Sequence, residues 1–295
     1  MNQTGVEILQ RVEKGLRTSM GSSFRVMGST TVGGGCISHS AVLDTTCGRF
    51  FLKWNSGGPA DLFVREAEAL AELGKAASSH LVIPRVFQVE GEDSGTGYIV
   101  MEYLGEGKGN SDEALGYGLA LLHRYRNDFF GFFHDNYCGL TLQKNSWSSN
   151  WPDFYSSNRI GTLVERLRAT RKMTDESFVV YKQLLQRIPL LLPPGTSPAL
   201  IHGDLWAGNF MAVPGGAALF DPASCYADRE MEFGMITLFG GFSSRFWSAY
   251  QESYPLSPDW KERNRLYQLY HLLNHYLLFG GGYGRQALEI ARSYL

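Results

Sequence analysis

The feature that most constrains this chain is a polar loop between short apolar segments in its second half. Residues 199–213 read ALIHGDLWAGNFMAV, and residues 217–223 read AALFDPA. Short apolar runs bounded by turn residues are typical of buried strands. Two short strands between Asn209 and Asp221 would return the chain to the cleft that the polar loop faces. We therefore expect the polar loop and Asp221 to face one cleft.

The polar side chains of this loop have the spacing that kinase-type phosphoryl transfer requires. That reaction uses a carboxylate to accept a hydroxyl proton, an amide oxygen five residues later to bind a metal ion, and a second carboxylate on the same ion. Asp204, Asn209 and Asp221 supply these groups, which predicts Asp204 as the catalytic base and the other two as Mg²⁺ ligands. The alternative is a polar turn capped by Asp204 and Asn209, since both residue types favour turns.

A lysine and a glutamate in the first hundred residues could complete the site. Lys53 lies in the strand-like run FFLKW, and Glu66 lies in the helix-like run VREAEAL. In kinases, a strand lysine held by a helix glutamate positions the α and β phosphates of ATP. Taken alone, either residue could be a solvated charge, and Arg65 and Glu68 compete as candidates in the same helix.

A glycine-rich segment between two strand-like runs is a candidate phosphate-binding turn. Gly33, Gly34 and Gly35 are followed by Cys36 and Ser38, and backbone N–H groups in such a turn can approach a phosphate closely. It is neither a Walker loop nor a dinucleotide fingerprint, because no G-K-[ST] follows and a strand comes next. A glycine-rich hairpin would look the same. Because Cys36 would be accessible here, we hypothesise that its oxidation blocks ATP binding or links two subunits.

The strand-like run that ends at Leu104 leads into a short polar segment. Residues 98–104 read YIVMEYL, and residues 105–111 read GEGKGNS. In a two-lobed kinase the backbone at this point binds the adenine edge, so Glu102, Tyr103 and Leu104 are the candidate nucleotide contacts. The structural alternative is a buried core strand.

The hydrophobic periodicity changes at the same point. Before it, strand-like runs accompany two helix-like segments, the first over residues 6–20, and beyond it helical periodicity dominates. We therefore predict an α+β fold with a β-rich N-lobe over residues 1–104 and a helical C-lobe over residues 105–295. Helices are expected over residues 159–172 and 176–188, and the run PLLLPPGTSP is expected to break the second of these.

Composition excludes several other classes of protein. The chain has 295 residues, of which 44% are apolar, so it can form a packed core. Its 27 basic and 29 acidic residues leave a net charge of -2, which argues against a nucleic-acid-binding surface. Four scattered cysteines exclude a zinc ribbon and disfavour a disulfide scaffold. Because no apolar run suits a signal peptide or a membrane span, we expect a soluble cytoplasmic protein, either a monomer or a weak dimer.

Motifs along nearly the whole chain resemble those of the fructosamine (ketosamine) kinase family. This family belongs to a protein-kinase-like group that includes aminoglycoside phosphotransferases and choline kinases. The discriminating motifs are HGDLWAGN and FDPASCYADREMEFGM, and the others are GGGCIS, FFLKW, REAEAL, VMEYL, NSW and LFGGFSSRFWSAY. The resemblance implies a bilobal protein-kinase-like fold and ATP-dependent phosphorylation of a sugar hydroxyl, O3, in a fructosamine or ribulosamine. The acceptor would be a free metabolite or a glycated protein, with a role in protein deglycation.

Carried over by motif, the resemblance implies the same site roles as the residue chemistry. Asp204 matches the catalytic base, Asn209 and Asp221 match the Mg²⁺ ligands, and Lys53 and Glu66 match the phosphate-anchoring pair. An aminoglycoside or choline-type kinase of the same architecture is the nearer alternative. A nucleotide-binding pseudokinase that acts as a scaffold is the more distant one.

Several side chains outside this set are candidates for contact with the acceptor. Trp206 and Trp247 could form a wall against which a sugar packs, and Asp228 could face the acceptor together with Arg229 and Glu230. The alternative role for Asp228 is to cap the next helix, where a carboxylate is stabilised.

Two further features have no assigned role. His271 and His275 lie one helical turn apart and could bind a metal, but no glutamate supports that interpretation and their neighbours favour a helix surface or core. Gln143 and Lys144 precede NSW, where the family pattern leads us to expect Gln or Asp followed by Asn. This departure lies in a loop expected near the acceptor.

We expect Asp204→Asn to lower kcat by at least about 100-fold, because it removes the group that accepts the proton. Binding of ATP should persist, since the amide has nearly the same size as the carboxylate. Steady-state kinetics and calorimetric titration with ATP check the two parts. An unchanged kcat would remove Asp204 from the mechanism.

Overall fold

A computed structural model describes residues 3–33, 38–91, 96–107 and 111–295. It has the predicted α+β character, with a β-rich first part and a mainly helical second part. The division between lobes at residues 104 and 105 remains a prediction. The elements of the first part are α1 (Gln3–Met20), β1 (Val26–Val32), β2 (His39–Thr45), β3 (Gly48–Ser56), α2 (Leu62–Lys75), β4 (Leu81–Val82), β5 (Val86–Gly91) and β6 (Thr96–Glu102).

An antiparallel sheet with the strand order β1-β2-β3-β6-β5 forms the centre of the first part. Because side chains alternate along a strand, Leu52 and Lys53 of β3 point to opposite faces. The face with Leu52 packs against Ile8 of α1. The other face packs Ile99 of β6 against Phe63 of α2. Lys53 is paired with Ile99, so it lies on the face that α2 covers.

Helix α2 contributes to two of the hydrophobic cores, the one on the sheet face that carries Lys53 and the one in the helical part. Phe63 packs in the core on the sheet face, whereas Leu73, near the end of the helix, belongs to the larger core of the helical part. The Tyr226 hydroxyl donates a hydrogen bond to Glu72 Oε1 at 2.7 Å. This buried polar contact also joins α2 to the helical part. The helix is therefore fixed to both parts of the molecule.

The second part consists mainly of helices. None of the described helices is long and apolar enough to cross a membrane. The elements are α3 (Asp112–Leu122), β7 (Asn136–Cys138), β8 (Thr141–Gln143), α4 (Trp151–Phe154), a π-helix (Tyr155–Gly161), α5 (Thr162–Ala169), α6 (Asp175–Leu191), β9 (Ala199–Ile201), β10 (Phe210–Val213), β11 (Gly216–Leu219), β12 (Cys225–Ala227), α7 (Glu230–Phe239), α8 (Ser244–Ser253), α9 (Trp260–Phe279) and α10 (Tyr283–Ser293). Among the helices, α9 contacts α5, α7, α10 and the π-helix, and α3 packs against α8.

The hairpin of β10 and β11 returns the chain from Asn209 to Asp221, as the sequence predicts. Strand β11 also pairs in parallel with β4, with Ala217 opposite Leu81. This pairing places the chain that follows β11 beside the first part of the molecule. Asp221 therefore enters the space between the two parts.

The helices differ from the sequence prediction in two places. The expected helix over residues 159–172 is the end of the π-helix followed by α5, which ends at Ala169. Helix α6 continues through Pro189 to Leu191, past its expected end at residue 188, and it ends within the run PLLLPPGTSP as predicted. Proline cannot donate to the carbonyl four residues earlier, and here the Ser156 hydroxyl donates to that Leu185 carbonyl at 3.1 Å.

Candidate active site

A cleft of about 890 Å³ lies between the sheet and the helical part. Lys53, Glu66, Asp204, Asn209 and Asp221 all line it. The structure therefore brings together the five side chains to which the sequence assigns the main chemical roles. Their roles in catalysis and metal binding remain predictions.

The ammonium group of Lys53 joins the two sides of the cleft. Its Nζ lies 2.9 and 3.0 Å from the two carboxylate oxygens of Glu66 and 2.6 Å from Oδ1 of Asp221. Lys53 and Glu66 are nearly buried, and burial alone would lower the pKa of Lys53. The carboxylates of Asp221 and Glu66 outweigh that effect and raise the pKa of Lys53 above its ordinary value. The lysine therefore stays charged at neutral pH.

The competing residues of α2 are occupied elsewhere. Arg65 Nε donates to Asp61 at 2.8 Å, and Arg65 Nη1 donates to Glu68 at 2.8 Å. Glu68 also lies 3.1 Å from Nδ1 of His134. Glu66 is thus the residue of α2 that pairs with Lys53.

Asp221 has an unusual backbone conformation for a residue other than glycine. Its φ is 58°, in the left-handed region that disfavours residues with a Cβ atom by about 1–2 kcal/mol. Such conformations persist where the surrounding structure holds them, and they are frequent at functional sites. Here the conformation places the carboxylate beside Lys53.

Asn209 folds back onto Asp204. The amide nitrogen of Asn209 donates to the Asp204 carbonyl at 2.8 Å and to Asp204 Oδ2 at 3.3 Å. Burial, followed by the charges of Asp221 and Glu232, raises the pKa of Asp204 to about 8. A pKa near the operating pH is the range in which a carboxyl group can exchange a proton as a general acid–base group. The predicted polar turn is therefore present, and its two side chains also face the cleft.

The oxygen donors of Asn209 and Asp221 fit a hard divalent cation. Carboxylate and amide oxygens are the ligands that Mg²⁺ prefers. Because the amide nitrogen of Asn209 is directed at Asp204, the amide oxygen is the atom available to a cation. The same pair of side chains lines the cleft beside Lys53.

Glu232 of α7 stabilises the polar loop that contains Asp204. Its carboxylate accepts the backbone N–H of His202 at 2.6 Å and that of Gly203 at 3.0 Å, and it is fully buried. His202 Nε2 in turn lies 2.9 Å from the Phe220 carbonyl, next to Asp221. The loop is therefore held through its backbone immediately before Asp204.

Gly203 is required by the same close packing. Its φ is 84°, and a Cβ atom there would lie 2.2 Å from the Ala223 carbonyl oxygen. The role of Glu232 in the site is not evident from the sequence. The available signal is an acidic residue inside the otherwise apolar run MEFGMI of α7.

The predicted nucleotide contacts lie along the opposite wall of the cleft. Gly33, Ser38, Glu102, Tyr103 and Leu104 line it, and the backbone N–H of Glu102 already donates to the Arg85 carbonyl at 2.8 Å. Their contacts with ATP remain predictions. Gly34, Gly35 and Cys36 lie outside the described residues.

Of the acceptor candidates Trp206, Asp228 and Trp247, the last two lie away from the cleft. Trp206 lines it, but Asp228 is buried behind it, where its carboxylate accepts the Tyr267 hydroxyl at 2.7 Å and the Glu230 N–H at 2.9 Å. Asp228 therefore has the alternative role, at the start of α7. Trp247 is partly buried and stacks on Trp260, with ring centroids 5.8 Å apart, against the helical core. The prediction that Asp228 and Trp247 face the acceptor is wrong.

The two histidines of α9 do not converge on one point. His275 Nδ1 lies 2.8 Å from the backbone carbonyl of His271. His271 is buried, and burial lowers its pKa to about 3. His275 lines the cleft near Phe239, at a centroid distance of 4.9 Å.

We expect Glu232→Gln to lower both Tm and kcat. The amide would present its own N–H to one of the two backbone donors, which leaves buried donors without an acceptor at a cost of about 1–3 kcal/mol. The resulting displacement of Asp204 should reduce kcat by about tenfold or more. Thermal unfolding and initial rates check this, with the exposed Glu289→Gln as the matched control.

The effect on stability should depend on pH. Burial alone would raise the pKa of Glu232, but its contacts with His123 and the His202 backbone lower it below the ordinary value of 4.5. The unfolding free energy of the parent should therefore exceed that of the variant by the largest amount above about pH 4.5. This difference should shrink as the pH falls through the pKa of Glu232 in the folded protein. A normal kcat, or a difference that grows in acid, would contradict this role.

Comparison with known proteins agrees with the site geometry. The family model described as fructosamine kinase matches residues 8–295. Ketosamine-3-kinase of Mus musculus is 36% identical over 290 residues, covering 88% of this chain and 93% of the mouse protein. The crystal structure of a "putative fructosamine-3-kinase" from Thermobifida fusca superposes with a TM-score of 0.82 at 30% identity, covering 95% of this chain and 97% of the other.

A more distant likeness extends to the wider group. The crystal structure of aminoglycoside phosphotransferase APH(4)-Ia has a TM-score of 0.64 at 18% identity, covering 96% of this chain and 98% of that one. At this identity the likeness shows the protein-kinase-like fold alone. The match over residues 8–295 and the mouse relative are decisive, and the chain belongs to the fructosamine kinase family.

Proposed function

We propose that this protein is an ATP-dependent kinase that phosphorylates O3 of a ketosamine such as a fructosamine or ribulosamine. The observation that carries the proposal is the contact of Lys53 with both Glu66 and Asp221, across a cleft that also contains Asp204. The printed name of the mouse relative, ketosamine-3-kinase, supports the substrate class and the position. The acceptor is a ketosamine that fits the cleft, either free or attached to a protein.

Each of these residues has a separate role in phosphoryl transfer. Lys53, held by Glu66, binds the phosphates of ATP, and Asp204 takes the proton of the acceptor hydroxyl onto its carboxylate as the new P–O bond forms. Asn209 and Asp221 would hold Mg²⁺, which when bound neutralises charge on the phosphates. The bond that breaks is the one between the γ-phosphorus and the bridging oxygen, and ADP leaves with that oxygen.

An aromatic wall lines the cleft beyond Asp204. It consists of Trp206, Phe239, His275, Phe279 and Tyr283. The centroids of Trp206 and Phe239 are 6.4 Å apart, and His275 lies 4.9–5.6 Å from Phe239, Phe279 and Tyr283. Rings of this kind pack against a sugar face and attract the ammonium of a secondary amine through cation–π interactions.

The wall favours a ketosamine over an aminoglycoside. Its five side chains carry no carboxylate, and burial lowers the pKa of His275, so the imidazole is neutral at neutral pH. An acceptor with several ammonium groups would find no ion-pair partner among these residues. A single amine between a sugar and an alkyl chain matches the wall better. A pseudokinase scaffold is disfavoured because Lys53, Glu66, Asp204, Asn209 and Asp221 are all competent side chains.

The direct test is incubation of a synthetic fructosamine and a ribulosamine with the protein and Mg-ATP. Mass spectrometry should find one added phosphate on the ketosamine, and a 3-phosphate by fragmentation or NMR. Kanamycin and choline serve as competing acceptors, and Asp204→Asn serves as the inactive control. Phosphorylation of kanamycin or choline in preference to both ketosamines would replace this proposal with the alternative, and ATP binding without transfer to any acceptor would favour a scaffold.

We expect Trp206→Ala to raise the KM for the ketosamine by about tenfold, which corresponds to about 1.4 kcal/mol of lost ring contact. The affinity for ATP should change little, because the wall lies beyond Asp204. Trp147→Ala is the matched control, since Trp147 is 42% exposed and Trp206 is 37% exposed, but only Trp206 is among the residues that line the cleft. Equal effects of the two substitutions would exclude Trp206 from the acceptor site.

A further inference from the structure

We propose that two buried amides, Asn136 and Gln143, are positioning residues that hold Asp221 in its metal-binding conformation. They lie at the two ends of the β7–β8 hairpin and are directly paired with each other in register. This inference rests on the proposed role of Asp221 as a metal ligand. Gln143, which lies just before the NSW motif, thereby gains a function that the sequence motifs do not assign to it.

Both amides donate to the backbone just after Asp221. Asn136 Nδ2 donates to the Ser224 carbonyl at 2.8 Å, and Gln143 Nε2 donates to the Ala223 carbonyl at 3.1 Å. Gln143 Nε2 also donates to Asn136 Oδ1 at 2.9 Å. Asn136 is 2% exposed and Gln143 is 3% exposed. The two carbonyls therefore have side-chain partners in a region that water does not reach.

A second layer of buried contacts orients these amides. Asn145 Nδ2 donates to Asn136 Oδ1 at 2.8 Å, and the Tyr270 hydroxyl donates to Gln143 Oε1 at 2.7 Å. Arg159, which is fully buried in the π-helix, donates through Nη2 to Asn145 Oδ1 at 2.8 Å. These contacts fix which end of each amide faces Ala223 and Ser224. A buried polar network with its members paired in this way is rigid and specifies one arrangement.

The conformation of Asp221 explains why this arrangement is needed. Its left-handed backbone is less stable than an ordinary one, so the adjoining chain must be held to maintain it. The Ala223 N–H donates to the His202 carbonyl at 2.9 Å, and the carbonyls of Ala223 and Ser224 are held by the hairpin amides. The segment after Asp221 is thus held on one side by the polar loop that contains Asp204 and on the other by the β7–β8 hairpin.

The test is Asn136→Asp, which keeps the size of the side chain but replaces the donor to Ser224 with an oxygen. The Mg²⁺ concentration that half-saturates binding of a ribose-labelled fluorescent ATP analogue should rise about tenfold, as expected for the loss of one buried hydrogen bond. Binding of the same analogue without Mg²⁺ should not change. Asn264→Asp is the matched control, because its Nδ2 donates to Thr237 at 2.8 Å, away from the hairpin.

A milder variant separates positioning from general stability. Tyr270→Phe removes the contact with Gln143 Oε1 but leaves both donors to the backbone, so it should raise the Mg²⁺ midpoint only about two- to threefold. This variant decides the question if Asn136→Asp does not fold. Unchanged Mg²⁺ midpoints with a lowered Tm would mean that the amides only stabilise the fold, which overturns the proposal. Absence of Mg²⁺-dependent analogue binding in the parent protein would instead overturn the proposed function.

Discussion

The geometry of the candidate active site depends on the buried ammonium of Lys53. Glu66 and Asp221 come from different parts of the chain, and the two carboxylates would repel each other without the charge that lies between them. An unpaired buried ammonium would itself be very unfavourable. The three groups therefore stabilise one another only when the sheet, α2 and the end of β11 are assembled together. Fold and site geometry are consequences of the same contact.

The sequence identifies residues whose chemistry fixes both their type and their spacing. Asp204, Asn209 and Asp221 belong to this class, and Lys53 is recognisable because strand alternation gives its direction once the strand is known. Asp228 does not belong to it, because an aspartate before a helix can face a ligand or cap the helix with the same sequence. Helix α6 shows the same limit, since the hydrogen-bond donor to its freed Leu185 carbonyl comes from Ser156, far away in the chain.

The residues that the sequence does not reveal act on the backbone. Glu232 binds the N–H groups before Asp204, and Asn136 and Gln143 bind the carbonyls after Asp221. Every residue other than proline has the same N–H and C=O groups, so such a contact leaves no pattern in the partner's sequence. A buried polar side chain within an apolar segment is the available hint, and only the fold shows which backbone group it meets.

The attachment of α2 to both cores limits how the protein can be regulated. In many kinases, displacement of the helix that carries the glutamate breaks its pair with the lysine and switches the enzyme off. Here Phe63 anchors that helix in the core on the sheet face and Leu73 anchors it in the core of the helical part. Moving it would disrupt two sets of packed side chains at once. The fold therefore favours a constitutively assembled enzyme whose output follows the supply of its substrates.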